Sequence, residues 1–185
     1  MIVDSGNRRA FESGAVRDIQ EGKGRCDLLP LDVIAEFICA TDEEKVMRNI
    51  LTADEVIMEI NYFMATGSIR HIYMAVNAFI HKFDVGDRMT VILEVAKHFE
   101  EGAIKYDERN WEKGIPCHCF VDSGLRHYIK CLRGDTDERH DRAFIWNMFC
   151  LIWTLKHNPK MIDLPFNKTN AEPDYDKAEA LKYTE

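Results

Sequence analysis

Ile92-Leu93-Glu94-Val95-Ala96-Lys97-His98-Phe99-Glu100-Glu101-Gly102-Ala103-Ile104-Lys105-Tyr106 decides the fold class. With Ile92 at zero and 100° per residue, Ala96, Phe99, Ala103 and Tyr106 fall within about 40° of it, the stripe of a helix with one buried face. Glu100 falls at about 80°, between Ala96 on one side and Leu93 and Ile104 on the other. A carboxylate in an apolar sector is costly unless a cation, a proton or a hydrogen-bond donor compensates it. Glu101 stands at about 180°, flanked by Lys97 and Lys105. The expectation is one buried acid and one exposed acid side by side; a solvated pair at a helix edge is the plainer alternative.

Working outward, the chain reads as a succession of helices. Pro30 opens a helix over about 31–40, in the manner of a proline at the first helical position. Thr41 to Glu44 and Thr52 to Glu55 have capping-box spacing and mark two further starts. Gly67-Ser68 is a break, and the next helix runs to about Phe83. The helix quoted above spans about 87–105. A loop with Gly114 and Pro116 leads to a helix over about 118–132 that ends at Gly134. Asp135 to Glu138 again has capping-box spacing, and the last helix runs to about His157, where Asn158-Pro159 stops it. Ala143 to Leu155 is apolar apart from Asn147 and Thr154, which suits a helix buried on most sides. No strand is predicted, so the fold class is all-α. Ser68-Ile69-Arg70-His71 faintly echoes Gly124-Leu125-Arg126-His127; coincidence accounts for it.

Composition narrows the function. The 185 residues carry a formal net charge of −8 and are 46% hydrophobic. That is enough chain for one domain with a proper core, or one domain with an insertion. The acidic balance argues against a broad grip on nucleic acid, which rests on phosphate neutralisation by Lys and Arg. No run of 18 apolar residues exists, so no transmembrane helix is expected, and the polar first residues lack a signal-peptide core. The six cysteines form no CxxC pair and read as reduced thiols of a cytoplasmic protein. Cys117-His118-Cys119 is half a metal site at most.

The candidate chemistry lies in two acidic groups. Glu100 and Glu101 form one. Asp135, Asp137, Glu138, His140 and Asp141 form the other, at the start of the last helix, where capping is the alternative use. Asp137 and Asp141 are one turn apart, as are Glu138 and Asp141, and carboxylates from two facing helices suit Mg²⁺ or Mn²⁺. Asn147 lies two turns beyond His140 and needs partners if buried. Asp122 and Arg126 are spaced to pair on a surface; His127 beside Arg126 suits a phosphate or a base edge, with a satisfied structural histidine the plainer reading for His127 and His140 alike.

Several segments resemble the phage dATP/dGTP diphosphohydrolase family. They are 11–18 with 21–30, His98 to Tyr106, Arg109 to Gly114, Leu125-Arg126-His127, and Asp137 to His140 followed by Trp146-Asn147. The family is related to the MazG-like all-α nucleotide pyrophosphohydrolases and includes the MazZ proteins. The resemblance implies a MazG-like helical bundle formed by 1–36 and 91–160, inserted helices over 37–90, and a polar tail over 161–185. It implies hydrolysis of a purine deoxynucleoside triphosphate to monophosphate and pyrophosphate, a step that in some phages feeds 2-aminoadenine synthesis. By analogy the protein is a homodimer or homotetramer in the host cytoplasm, with no nucleic-acid or membrane partner.

On this reading Glu100, Glu101, Glu138 and Asp141 hold Mg²⁺ or Mn²⁺, with Asp137 or His140 assisting, and Glu101 accepts the proton of water. Lys23, Arg25, Lys105 and Arg126 neutralise the triphosphate, and Asn110 and Trp111 engage the purine. His127 and Asn147 complete the substrate contacts. The family's first acidic motif, two glutamates three residues apart, is interrupted here by Lys97 and Ile104; Glu138 and Asp141 satisfy the second. Two other readings remain: an HD-type phosphohydrolase built on His140-Asp141 with His98 or His127 and Asp163, and a non-catalytic helical binding module.

Overall fold

The computed structural model describes residues 8–10, 13, 15–18, 25–39 and 54–167. Six α-helices occur among them: α1 (Leu31–Cys39), α2 (Glu55–Thr66), α3 (Ile69–Phe83), α4 (Arg88–Tyr106), α5 (Cys117–Arg133) and α6 (His140–His157). The fold class is all-α. A short hairpin departs from the helical reading: β1 (Arg8–Ala10) pairs antiparallel with β2 (Val16–Asp18), Arg9 opposite Arg17. Three-residue strands are too short to leave a period-2 signal. The helix start expected at Thr41 lies outside the described residues.

α6 is the central element because it has no polar side to give to water between Ala143 and Ile152. Phe144 stacks on Phe79 of α3 at 4.4 Å, and Phe149 meets Phe37 of α1 edge-on at 5.2 Å. Trp153 meets Trp111, from the turn after α4, at 4.8 Å. α5 runs antiparallel beside α6, and Gly124 sets their distance. A Cβ there would stand 2.6 Å from Met148 Cε and 3.5 Å from the Cβ of Asn147. Phe37, Phe79, Trp111, Phe144, Met148 and Phe149 belong to one continuous core that also takes in Phe63 of α2, with Trp153 packed against it. The α2–α3 pair therefore shares the core of α4–α6.

Helix ends follow local chemistry, in places differently from the sequence reading. α2 is capped by Asp54, whose carboxylate accepts from the Ile57 amide at 3.1 Å, two residues later than Thr52 suggests. α4 is capped by Asp87, which accepts from the Thr90 amide at 2.8 Å. α6 begins only at His140, so Asp135, Asp137 and Glu138 lie in the loop before it. Their carboxylates turn sideways: Arg133 Nε donates to Asp135 at 2.7 Å, and Lys130 donates to Asp137 at 3.1 Å. No described helix is long and apolar enough to cross a membrane.

Candidate active site

The two acids that open the sequence reading diverge across α4. The buried stripe is Val91, Ile92, Val95, Ala96 and Phe99. Glu94, His98, Glu101 and Lys105 follow one another at helical spacing along one edge of it. Glu100 lies on the other edge, beside Leu93 and Ile104, both of which are exposed. Glu100 is therefore half-buried rather than enclosed, because the apolar stripe is wider than the neighbours that cover it.

The edge carrying Glu94 and Glu101 meets the start of α6. Arg142, only 11% exposed, spans two turns of α4: Nε donates to Glu94 Oε2 at 2.8 Å and Nη1 to Glu101 Oε1 at 3.4 Å. Arg139 grips Asp141 through Nε and Nη2 at 2.9 and 2.6 Å and reaches Glu94 at 3.4 Å. Lys97 and Arg142 hold Glu94 below the usual carboxylate range, against the opposing effect of burial. Burial would raise Asp141, but Arg139 and the Arg142 amide outweigh it and leave it lowered. His98 sits in the middle of this network, edge-on to Trp146 at 5.7 Å and 3.8 Å from Glu101. Burial first, and then the charge of His127, push the His98 imidazole down to about 4.

A second group adjoins the first, formed by α5 and the loop before α6. His127 Nδ1 and His140 Nδ1 are 3.1 Å apart, and Glu138 Oε1 lies 3.4 and 3.3 Å from them. His140 Nε2 donates to Asp137 Oδ1 at 2.8 Å. The His140 contact, with Lys130, holds Asp137 down to about 2. Among the described residues, two sets of three donors lie mutually within 4.8 Å: His127 with Glu138 and His140, and Asp135 with Asp137 and His140. Glu100, Glu101, Glu138 and Asp141 do not form such a set.

The other expected residues are distributed as follows. Arg25 Nε and Nη2 donate to Asp27 at 2.7 and 2.6 Å, and Nη1 to Glu108 at 2.7 Å, pinning the chain before α1 to the end of α4. Lys23 lies outside the described residues. Trp111 is buried against Phe99 and Trp153, so its faces are packed rather than offered to a base. Its Nε1 has no hydrogen-bond partner among the described residues. Asn110 begins the same turn, half-buried. Lys105 is exposed, its Nζ 4.8 Å from the Tyr106 ring centroid, and Arg126 pairs with Asp122 on the surface. Asn147 is buried and satisfied within its own helix, donating to Ala143 O at 2.7 Å. Asp163 accepts from the His118 amide at 3.0 Å, at the start of α5 and the opposite end from His140. It cannot complete an HD-type set.

Sequence reasoning assigned no role to Glu94, Lys130, Arg139 or Arg142, and gave His98 only to the HD alternative. The signal lay in the i, i+4, i+7 run Glu94, His98, Glu101, a polar stripe bordering the buried one.

Fold and site together define an all-α protein whose ionisable groups gather where α4, α5 and α6 meet. Residues 85–164, the stretch that supplies all three helices, match the family model described as dATP/dGTP diphosphohydrolase, N-terminal. That match agrees with the resemblance of the sequence segments to the same family. No curated protein and no solved structure matches the chain.

Proposed function

We propose that the α4–α6 junction hydrolyses a purine deoxynucleoside triphosphate, dATP or dGTP, to the monophosphate and pyrophosphate. The supporting observation is the coincidence of the family match at 85–164 with the three helices that bring the ionisable cluster together. Water adds to the α-phosphorus, the bond from that phosphorus to the bridging oxygen breaks, and pyrophosphate leaves with the bonding electrons.

The carboxylates of Glu101, Glu138 and Asp141, drawn from α4 and the start of α6, have the oxygen chemistry a hard divalent cation takes. These three residues would hold Mg²⁺ or Mn²⁺, which supplies charge neutralisation and a lowered pKa for bound water. The side chains have distinct tasks. Glu101, the most exposed of the three at 61%, would accept the proton of the attacking water. His98, held neutral by burial, adds no cation beside Glu101. Arg142 and Lys130 counter charge that builds on the leaving pyrophosphate. Glu100, on the far edge of α4, has no part in this constellation.

The test is product analysis by ion-exchange chromatography with dATP, dGTP, dCTP and dTTP, in Mg²⁺, in Mn²⁺ and in EDTA. The expected result is metal-dependent dAMP or dGMP with pyrophosphate, lost in Glu101→Gln with the helical circular dichroism unchanged. Deoxynucleoside with triphosphate, or turnover in EDTA, would overturn the reading.

A further inference from the structure

The donors around His140 make a shape that their hydrogen bonds do not explain. His140 Nε2 lies 2.8 Å from a carboxylate oxygen of Asp137, which only accepts, so that nitrogen carries the proton. In the neutral ring Nδ1 is then a bare lone pair. It faces His127 Nδ1 at 3.1 Å and Glu138 Oε1 at 3.3 Å, and those two are 3.4 Å apart. The His140 side chain is 2% exposed and that of His127 15%, so both rings are shielded, while Glu138, 48% exposed, leaves one side of the triangle open.

The edges of that triangle match one face of a tetrahedron. Ligands about 2.0–2.1 Å from a tetrahedral ion stand roughly 3.3 Å from one another. Two imidazoles and one carboxylate select a borderline divalent transition ion over Mg²⁺ or Ca²⁺, which take oxygen. Asp137 behind His140 is the outer carboxylate that fixes a ligating imidazole's tautomer and raises its basicity. Three protein ligands leave a fourth position for water or an anionic oxygen.

We infer that His127 Nδ1, Glu138 Oε1 and His140 Nδ1 form a binding site for a divalent transition-metal ion, oriented by Asp137. The site stands whether or not the junction hydrolyses nucleotides, and Glu138 retains a second oxygen for the α4 side. Glu59 and His71 supply a contrast: one carboxylate and one imidazole share one proton at 2.7 Å and need no ion.

The experiment uses the full chain, stripped with chelator and dialysed, and titrated with Co²⁺ without nucleotide. Visible absorption reports the coordination and calorimetry the stoichiometry. The expected result is one Co²⁺ per chain, displaced by Zn²⁺ and not by a large excess of Mg²⁺. His127→Ala and Glu138→Gln, the latter at a half-exposed position, should each weaken binding by more than about tenfold with the helical circular dichroism unchanged. His118→Ala, at the far end of α5, should leave it unchanged. Failure of the wild-type chain to take up Co²⁺, or uptake indifferent to both variants, would overturn the assignment. Because no substrate is present, an inactive enzyme that binds Co²⁺ refutes the hydrolysis alone.

Discussion

Among the described residues, histidine meets glutamate between α2 and α3 and again at the α4–α6 junction, and the second place has donors in excess. Between α2 and α3, Glu59 and His71 form a closed pair at 2.7 Å. Around them the polar groups are matched in the same way. Asp54 serves the Ile57 amide, the Tyr128 hydroxyl at 2.5 Å and the Lys82 ammonium at 2.5 Å, and Tyr73 donates to Glu36 at 2.7 Å. At the α4–α6 junction carboxylates and imidazoles outnumber what one another can satisfy, and Lys97, Lys130, Arg139 and Arg142 hold acids in place. A matched polar network specifies packing. An excess of like donors is the arrangement that waits for a cation or a substrate.

The sharpest way to break this contrast is to remove one charge from each side. Glu138→Gln is expected to lower turnover by about 10²-fold or more while leaving the thermal midpoint close to wild type, since Glu138 is half exposed. Steady-state assay against dATP and dGTP, beside a melting curve, checks it. Comparable activity in the variant would place the chemistry elsewhere.

Asp54 gives the largest expected effect on stability. Asp54→Ala removes the cap of α2 and leaves the fully buried Tyr128 hydroxyl without its acceptor, a loss of about 2–3 kcal/mol. Asp54→Asn keeps the helix cap through its amide oxygen, offers its NH2 to the Tyr128 hydroxyl oxygen in a reversed bond, and loses the ion pair with Lys82, about 1 kcal/mol. The pH dependence has a definite sign. Burial would raise the Asp54 pKa, but Lys82, Tyr128 and the Ile57 amide together hold it below 3.8. The ionised group therefore stabilises the fold above its unfolded pKa of about 3.9 and loses that contribution as pH falls through the folded value. The gap between wild type and Asp54→Asn should be constant from pH 7 to about 4 and narrow below it, as read by urea titration. A gap that widens on acidification contradicts the sign.

Glu59→Gln belongs one step lower. Gln still accepts from His71, so only the charge assistance is lost, about 1 kcal/mol in a melt, with turnover unchanged. Loss of activity with an intact fold would move Glu59 out of the structural class and dissolve the comparison.

The two regions were not equally legible. The helices could be read because each has a long stripe and firm punctuation: Gly67 and Gly134 close their helices with φ of 71° and 80°, as a glycine after the last turn does. The acids of the site could be found by composition, for Asp135, Asp137, Glu138 and Asp141 are crowded in any reading. Which of them converge could not. Asp137 turns back to His140 and Lys130, and Asp141 is taken by Arg139, through loop geometry that begins where helical periodicity ends. His127 and His140 are thirteen residues apart, and only the antiparallel return of α6 along α5 brings their rings to 3.1 Å. Trp111 misled for the opposite reason: an aromatic in a polar loop resembles a stacking platform, but the turn folds it onto Phe99 and Trp153.

Glu100 and Glu101 allow the finest test, because they are sequence neighbours of the same chemistry. One residue is 100° of helix, so their carboxylates leave α4 on opposite edges of its buried stripe. Glu101 meets Arg142 and His98. Glu100 stands between exposed Leu93 and Ile104. If position on the helix decides function, Glu101→Gln should lose turnover as Glu138→Gln does, and Glu100→Gln should change kcat/KM by less than roughly threefold, well under 1 kcal/mol. Equal loss in both would mean that the substrate complex draws in the far edge of α4, and that the excess of acid extends around the helix rather than along one side of it.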